Sequence, residues 1–251
     1  MKILTDLYFK KYSEKINDLD KKIVKFNKNS KELDFGYLTE ASSVFSSNIE
    51  GNSLDLNSFM NNKNTKNKSK EIKEIENLIK AYKFAQNNKL NESNFLEIHK
   101  ILSKTLLISS KRGVYRDHKV GVFGSKGLIY LAIEAEYVKE KMKELFEDIY
   151  YLLNTKLTHQ EVFYYSSLIH LKFVHIHPFV DGNGRSARIL EKWFLTEQLG
   201  KDYWKISSEE FYWKNRDKYY NNINLGVNYY ELDYVNCNNF LMMIVESLYL
   251  S

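Results

Sequence analysis

The stretch His177-Pro178-Phe179-Val180-Asp181-Gly182-Asn183-Gly184-Arg185-Ser186-Ala187-Arg188 brings a histidine, a carboxylate, a glycine-flanked amide and two arginines into one short run. Glycines on both sides of Asn183 allow the backbone to turn sharply, so that its N–H groups can approach an anion. The apolar residues that follow recur at helical spacing as far as Gly200, which predicts a helix that ends there. The positive end of that helix would add to the attraction. The stretch is therefore suited to binding and attacking a polyphosphate.

The composition favours a mainly helical chain. The 251 residues include one proline and ten glycines, with 43% hydrophobic and 15% aromatic residues. These values disfavour both a turn-rich β-sandwich and a disordered chain. The one proline, Pro178, lies inside the quoted stretch, where it fixes φ and removes a backbone donor. We expect an all-α fold in one compact unit, with an N-terminal helical region at 1–69 and a core with C-terminal helices at 70–251.

Apolar spacing predicts a series of helices and one β element. The expected helices cover residues 5–29, 38–49, 71–85, 93–106, 137–153 and 160–174. Val120–Phe123 and Leu128–Leu131 flank Gly124-Ser125-Lys126-Gly127, which predicts a short hairpin. Gly51 is a stop signal for the second helix, so Glu50 falls in its last turn. Because a carboxylate there opposes the helix dipole, its position raises the question of a cationic partner.

Charge and cysteine content limit the classes of partner and compartment. A net charge of +5 and a pI near 8.9 help to steer an anionic ligand but are too mild to argue for nucleic acid. The lysines between 63 and 73 lack interleaved aromatics, and residues 201–251 show no basic recognition helix. Cys237 is the one cysteine, so an internal disulfide cannot form. With no apolar segment near the N-terminus, we expect a cytoplasmic protein that binds neither nucleic acid nor membrane.

The quoted stretch satisfies every fixed position of the pattern His-x-Phe-x-(Asp/Glu)-Gly-Asn-Gly-Arg-x-x-Arg, and in this it resembles the Fic-domain family. That family transfers nucleotide monophosphates to protein hydroxyls. Gly113-Val-Tyr-Arg116, the hairpin and the pair Tyr219-Tyr220 extend the resemblance. It implies the Fic fold over roughly residues 70–245, a helical core with a β-hairpin flap beside the active site.

A second signature lies upstream of that core. Ser46-Ser-Asn-Ile-Glu50-Gly51 resembles the inhibitory motif (Ser/Thr)-x-x-x-Glu-(Gly/Asn) that some Fic proteins carry. The resemblance implies that Glu50 pairs with Arg188, which would supply the cation for the carboxylate at the end of its helix. Ser46 and Glu50 are therefore the expected inhibitory residues.

The resemblance assigns the catalytic role to His177. As general base, it would take the proton from a Ser, Thr or Tyr hydroxyl that attacks the α-phosphorus of ATP, and an ordinary pKa near 6.5 suits that task. A structural or metal-binding histidine is the alternative, suggested by the neighbouring His175. Two histidines with a single acid, however, lack the usual ligand set of a metal site.

The other residues of the stretch are expected to hold the triphosphate and its metal. Asp181 would hold Mg²⁺ against the α- and β-phosphates, and it can also cap the following helix. Asn183 and the neighbouring N–H groups would form the anion hole, with a simple glycine-rich turn as the alternative. Arg185 and Arg188 share one helix face and would reach the β- and γ-phosphates, unless they are ordinary surface arginines. The expected nucleotide-binding residues of the stretch are Gly182, Asn183, Gly184, Arg185 and Arg188.

Two more regions are expected to contact substrates. Tyr219 and Tyr220 would flank the adenine, with packing in a tyrosine-rich helix as the alternative. Val227 and Asn228 fall where some family members place an adenine-contacting asparagine, so base recognition stays open. The hairpin would be the flap on which a target segment lies as an added strand, with a structural hairpin as the alternative. Its expected docking residues are Val120, Gly121, Val122, Phe123, Leu128, Ile129 and Tyr130.

These expectations combine into an autoinhibited protein adenylyltransferase that uses ATP and Mg²⁺ and is restrained by Glu50. Removal of AMP, or transfer from another nucleotide or phosphate-bearing donor, is an alternative that uses the same residues. A nucleotide-binding regulator without catalysis is a third reading, although such a module would not need His177 and Asp181 together. The expected partners are ATP and a protein target, and a homo-oligomer is compatible with the sequence.

Overall fold

The computed structural model describes residues 1–16, 18–124 and 127–248. The helices of the first half are α1 (Phe9–Ser13), α2 (Leu19–Asn29), α3 (Phe35–Ile49), α4 (Leu56–Asn62), α5 (Lys70–Asn87) and α6 (Glu92–Leu102). The strands β1 (Gly121–Gly124) and β2 (Gly127–Leu131) follow. The second half holds α7 (Ala135–Leu153), α8 (His159–Ile176), α9 (Asn183–Leu199), α10 (Ser208–Lys214), α11 (Arg216–Ile223), α12 (Asn238–Leu241) and α13 (Met243–Ser247). The expected all-α architecture with one hairpin is confirmed over the described residues.

Local sequence signals account for most helix boundaries. The side chains of Asp34 and Ser69 accept hydrogen bonds from the first turns of α3 and α5, and Thr158 with Glu161 forms a capping box at α8. Gly51, with φ 96°, follows α3, and Gly200, with φ 104°, ends α9. Glycine adopts these positive φ angles without the strain that a Cβ would introduce.

The single helix expected over 5–29 is wrong. The chain forms α1 and α2 there, separated by a segment that includes Asn17, which lies outside the described residues. Tyr12, Ile16 and Ile23 are nevertheless all buried. The apolar spacing therefore predicts the burial of Ile16 and Ile23, but neither the continuity of the helix nor the exposure of Leu7 and Val24.

The core forms around α8, whose side chains are buried along nearly its whole length. This helix packs most extensively on α9 and also contacts α1, α2, α7, α12 and α13. The main hydrophobic cluster includes side chains from Leu4 to Leu248. Helix α3 packs against α5 and α10 and also contacts α9. The end of α3 is thereby brought next to the beginning of α9, which contains the last residues of the stretch from His177 to Arg188.

The hairpin pairs β1 and β2 antiparallel, with Gly121 opposite Leu131 and Val122 opposite Tyr130. An irregularity follows Val122, so that Phe123 faces Leu128. Leu131 N–H donates to Val227 O at 2.9 Å, which ties the hairpin to the C-terminal part of the chain. The turn expected at Ser125 and Lys126 lies outside the described residues.

Across residues 1–16, 18–124 and 127–248, none of the helices combines the length and hydropathy needed to cross a membrane.

Candidate active site

His177 follows the last residue of α8 in the left-handed conformation, with φ 51° and ψ 59°. Within the described part of the chain it is the one non-glycine residue with positive φ. Its N–H donates to Phe173 O at 3.0 Å, which closes the end of α8. This position is usually taken by glycine, so a histidine here costs on the order of 1 kcal/mol. The conformation turns the chain directly from the core helix into the loop that precedes α9.

The imidazole of His177 presents Nε2 as a base. Nδ1 lies 3.2 Å from Val174 O, and since a carbonyl can only accept, Nδ1 carries the proton. Burial lowers the pKa of His177 to about 4, although Val174 and the charge of Glu50 oppose the shift. The ring is therefore neutral at pH 7 with a free lone pair on Nε2. A bound triphosphate would raise this pKa, because its negative charge favours the protonated ring.

Arg116 holds the His177 loop from behind. This buried side chain donates through Nε to His177 O at 2.8 Å and through Nη2 to Ile133 O at 2.5 Å. Its backbone N–H donates to Pro178 O at 2.9 Å. Arg116 belongs to the pattern Gly113-Val-Tyr-Arg116, but that pattern does not indicate this scaffolding role.

His99 of α6 is a second scaffold residue, and the sequence analysis missed it. Its ring stacks on Phe179 with centroids 3.5 Å apart, and Nδ1 accepts from Gly113 N–H at 2.8 Å. Nε2 consequently carries the proton and donates to Asp181 O at 3.0 Å. A single histidine in an amphipathic helix carries no sequence signal that would distinguish it from a surface residue.

The Asn183 side chain is occupied by the loop itself. Its Oδ1 accepts from Phe179 N–H and its Nδ2 donates to Phe179 O, both at 2.9 Å. Each polar atom of this amide thus has one backbone partner, and its expected contribution to an anion hole stays a prediction. Its contacts hold the loop in the shape that exposes the first-turn N–H groups of α9, which have no acceptor within the helix.

Asp181 is suitably placed to hold a metal together with phosphate. One oxygen accepts from Gly182 N–H at 2.6 Å, and the side chain is 52% exposed. Magnesium commonly uses one or two carboxylates and completes its shell with water and phosphate oxygens. No cluster of three or more metal-binding side chains occurs in the described ranges. Asp181 could supply one protein ligand to a magnesium ion that takes its other ligands from phosphate and water.

Arg188 is fully buried and pairs with Glu50. Its Nη2 lies 2.8 Å from Glu50 Oε1, and it also binds Ser46 through Nε to Oγ at 2.8 Å and through Nη2 to the carbonyl at 2.9 Å. Burial alone would raise the pKa of Glu50, but the charges of Arg188 and Arg185 outweigh it and hold that pKa below its ordinary value. Ser46, Glu50 and the second arginine of the motif are therefore in direct contact.

The Glu50 carboxylate lies directly over Gly184 in the first turn of α9. A Cβ built on Gly184 would overlap Glu50 Oε1. Only a residue without a side chain leaves this space to the carboxylate. An anion is thus already present at the helix N-terminus, where backbone N–H groups and the helix dipole favour one.

Arg185 has its own acidic partner, which the sequence did not reveal. Its Nη2 donates to Glu74 Oε1 at 2.5 Å, and the same oxygen accepts from Ser47 Oγ at 2.5 Å. Both charged side chains are nearly buried. Glu74 belongs to α5 and Glu50 follows α3, so two separate segments upstream of α6 each supply a carboxylate to one arginine of the motif. Neither arginine is an ordinary surface residue.

The two tyrosines of α11 have different surroundings. Tyr219 is buried and its hydroxyl contacts Arg188 Nη1 at 3.2 Å, as the packing alternative expects, and an adenine contact for Tyr219 stays a prediction. Tyr220 is 41% exposed and donates from its hydroxyl to Ile49 O at 3.0 Å. Its ring lies near Glu50, and an adenine contact for Tyr220 stays a prediction.

The hairpin presents apolar side chains to the outside. Phe123, Leu128 and Ile129 are exposed, whereas Tyr130 is buried and donates from its hydroxyl to His175 O at 2.6 Å. Tyr130 therefore anchors the hairpin to the end of α8. Its buried side chain offers little surface to a docking target segment. His175 itself is engaged by Tyr234 and Ile223, each at 2.8 Å, and does not form a metal pair with His177.

Comparisons with known proteins find similarity over part of this chain. Residues 89–195 match the family model described as Fic/DOC family. A segment of 26 residues is 69% identical to the proteins named protein adenylyltransferase Fic of Drosophila virilis and Drosophila melanogaster. That segment covers 10% of this chain and 5% of those proteins, so the chain matches only a small part of their length.

Solved structures show the fold. A Fic family protein from Desulfovibrio desulfuricans G20 aligns with a TM-score of 0.78 at 20% identity, over 99% of this chain and 75% of that chain. A Fic domain containing signaling protein from Bacteroides thetaiotaomicron aligns with a TM-score of 0.66 at 18% identity, over 96% and 94%. Fic-1 from C. elegans gives 0.66 at 19% identity, over 94% and 70%. The motif and the family match together identify a Fic/DOC family domain at residues 89–195, and the fold of the chain is that of the solved Fic proteins.

Proposed function

We propose that this protein is an AMPylator, an adenylyltransferase that moves AMP from ATP to a Ser, Thr or Tyr hydroxyl of a target protein. The observation that carries the proposal is the free Nε2 of His177 near a helix N-terminus that bears two arginines. The charge of Glu50 acts to raise the pKa of His177, and the charges of Arg188 and Arg185 act to lower the pKa of Glu50. These effects support the closeness of the four side chains. A base, an anion-binding helix end and two guanidiniums are the groups that phosphoryl transfer to a hydroxyl requires.

The reaction forms one bond and breaks one. The target hydroxyl oxygen bonds to the α-phosphorus while the bond from that phosphorus to the bridging oxygen of pyrophosphate breaks. The hydroxyl proton passes to His177 Nε2, whose free lone pair follows from the Nδ1 contact with Val174. First-turn N–H groups of α9 bind the α-phosphate, and Arg185 and Arg188 bind the leaving phosphates.

Asp181 holds the magnesium ion of MgATP in this proposal. The ion, when bound, offsets the negative charge that develops on the departing pyrophosphate. The exposed carboxylate beside the N-terminus of α9 supports this assignment. The glycines at 182 and 184 allow the phosphates to approach the backbone without meeting a side chain.

The same proposal includes autoinhibition by Glu50. Its carboxylate neutralises Arg188 and lies over Gly184, so it competes with the triphosphate in charge and in space. The side chain is one quarter exposed and sits at the end of α3, where rotation does not require the core to open. We infer that Glu50 must leave before ATP binds with its α-phosphorus towards His177.

The target docks as an extended segment along the hairpin. Among the described strands, β1 pairs with β2 alone, which leaves its outer edge free to bond another strand. The exposed Phe123, Leu128 and Ile129 add apolar surface for that segment. Such docking aligns the target hydroxyl through main-chain hydrogen bonds, which do not depend on the target's sequence. Selection among targets would depend on their side chains.

The transferred group is tested with the Glu50→Gly protein and ATP labelled at either the α- or the γ-phosphate. The proposal predicts label on protein from α-labelled ATP and none from γ-labelled ATP. Unlabelled ATP should suppress the signal better than GTP, UTP or CDP-choline at equal concentration. Label from the γ-phosphate would indicate phosphorylation instead, and stronger competition by another donor would reassign the substrate.

Removal of AMP from a modified target is a second candidate, favoured by the effect of the Glu50 charge on His177. A carboxylate whose charge acts on His177 in this way can orient a water molecule for attack on a phosphodiester. In that case Glu50→Gly abolishes release of AMP from an adenylylated target and gives no gain in transfer. An increase in transfer with no wild-type release activity would reject this candidate.

A further inference from the structure

A chain of buried polar side chains runs inward from Arg188. Arg188 Nη1 contacts the hydroxyl of Tyr219 at 3.2 Å, and that hydroxyl lies 3.0 Å from His170 Nε2. His170 Nδ1 in turn lies 3.0 Å from Glu191 Oε2. All four side chains are buried. Because these residues lie on α8, α9 and α11, the chain connects three helices behind the phosphate-binding arginine.

The acceptor at one end of this chain and the donor at the other are fixed by their chemistry. The Glu191 carboxylate accepts, so His170 Nδ1 carries a proton. His170 Nε2 and the Tyr219 hydroxyl form the next hydrogen bond. An arginine can only donate, and the lone pairs of the Tyr219 oxygen face it. The histidine and glutamate thus orient the phenol as an acceptor for Arg188.

The remaining contacts of Arg188 come from the inhibitory side. Its bonds to Ser46 Oγ, to Ser46 O and to Glu50 all involve α3 or the residue that follows it. Tyr219 belongs to α11, which is far from α3 in the sequence. If Glu50 and the end of α3 shift when ATP enters, the contact with Tyr219 does not need to shift with them.

We propose that Tyr219 is a positioning residue that holds Arg188 in place for the γ-phosphate once Glu50 has left. This inference rests on the proposed function. Tyr219 acts only through Arg188 and has no contact with the reacting atoms. Its loss should weaken the binding of ATP much more than that of AMP, which has no β- or γ-phosphate.

The test compares Tyr219→Phe with Tyr212→Phe, both in the Glu50→Gly protein. Tyr212 is a matched control, since it is also buried and donates to Glu191 Oε2 at 3.0 Å, but has no hydrogen bond to Arg188. The affinities for ATP and AMP are measured by calorimetry. Tyr219→Phe should lower the affinity for ATP about tenfold relative to AMP, as expected for the loss of one hydrogen bond to a charged group. Tyr212→Phe should leave this ratio unchanged.

A double-mutant cycle keeps the proposal testable if Tyr219→Phe perturbs the fold. With Arg188→Ala already present, Tyr219→Phe should no longer change the ratio of ATP to AMP affinity, because the residue through which it acts is gone. The proposal would be overturned if Tyr219→Phe alone left the ratio of ATP to AMP affinity unchanged. It would also be overturned if Tyr212→Phe lowered this ratio equally, or if Tyr219→Phe lowered it equally in the Arg188→Ala protein. Binding requires no turnover, so an AMP-transfer defect in the parent protein would count against the proposed function alone.

Discussion

At the scale of single residues, the site depends on histidines that the fold keeps neutral. Burial lowers the pKa of His99 and of His177 to about 4 and that of His175 to about 3. Each ring uses one nitrogen as donor and the other as acceptor or free base, which only the neutral form can do. His99 and His177 stand at opposite ends of the loop that leads into α9, so its geometry depends on their charge state.

Stability should therefore fall as the pH drops from about 6.5 to 4.5. In this window the unfolded chain, with histidine pKa values near 6.5, binds protons that the folded chain does not, so protonation favours unfolding. The fully buried His99 and His175 should each remove about 1.4 kcal/mol from the free energy of unfolding per pH unit within the window. Urea titrations at pH 7.0, 6.0 and 5.0 measure this dependence. A free energy of unfolding that stays constant over this range would contradict the assignment.

At the scale of helices, two elements upstream of the matched Fic/DOC segment supply the acidic partners of the motif. Helix α3 leads to Glu50, α5 carries Glu74, and Ser47 of α3 bonds the same Glu74 oxygen as Arg185. The two carboxylates are thus connected through the end of α3. Ser46 of α3 accepts a hydrogen bond from Arg188, and the adjacent Ser47 donates one to Glu74, the partner of Arg185.

Removing the Glu74 charge should destabilise the protein, because the nearly buried Arg185 then keeps only the more distant Asp181, at 4.0 Å, as an ion-pair partner. We expect Glu74→Gln to lower the free energy of unfolding by about 3 kcal/mol. Glu76→Gln is the control on the same helix, since Glu76 pairs with the partly exposed Lys68 and its loss should cost about 1 kcal/mol or less. Chemical denaturation of the two variants measures the difference. Equal losses would show that the buried pair has no special role.

The sequence predicted what is encoded locally. His177 to Arg188 form a continuous stretch, so their proximity follows from the chain itself, and helices α5, α7, α8 and α9 follow from apolar spacing over many residues. Glu74, His99 and Arg116 could not be found in this way, because their roles arise from side chains that meet across distant parts of the chain. Tyr219 was predicted to be near the nucleotide, but its burial behind Arg188 depends on packing that periodicity does not describe.

At the scale of the whole molecule, the N-terminal region and the Fic/DOC domain share one hydrophobic cluster, and the charges at their boundary are paired in this state. Glu50 is the one of the two carboxylates that is appreciably exposed and lies over the anion-binding turn of α9. A signal that displaces Glu50 would uncover Arg188 while Glu74 continues to bind Arg185. We propose that this displacement converts a restrained protein into an active adenylyltransferase.

The most direct measurement is labelling of the protein itself by α-³²P-ATP and Mg²⁺ in the wild type, Glu50→Gly and Glu50→Gly/His177→Ala. The account predicts little label on the wild type, at least a tenfold gain for Glu50→Gly, corresponding to about 1.4 kcal/mol of restraint, and loss of the gain in the double variant. The double variant is the control for labelling that does not use the base. Equal label on all three proteins, or none on Glu50→Gly despite measurable ATP binding, would contradict the account.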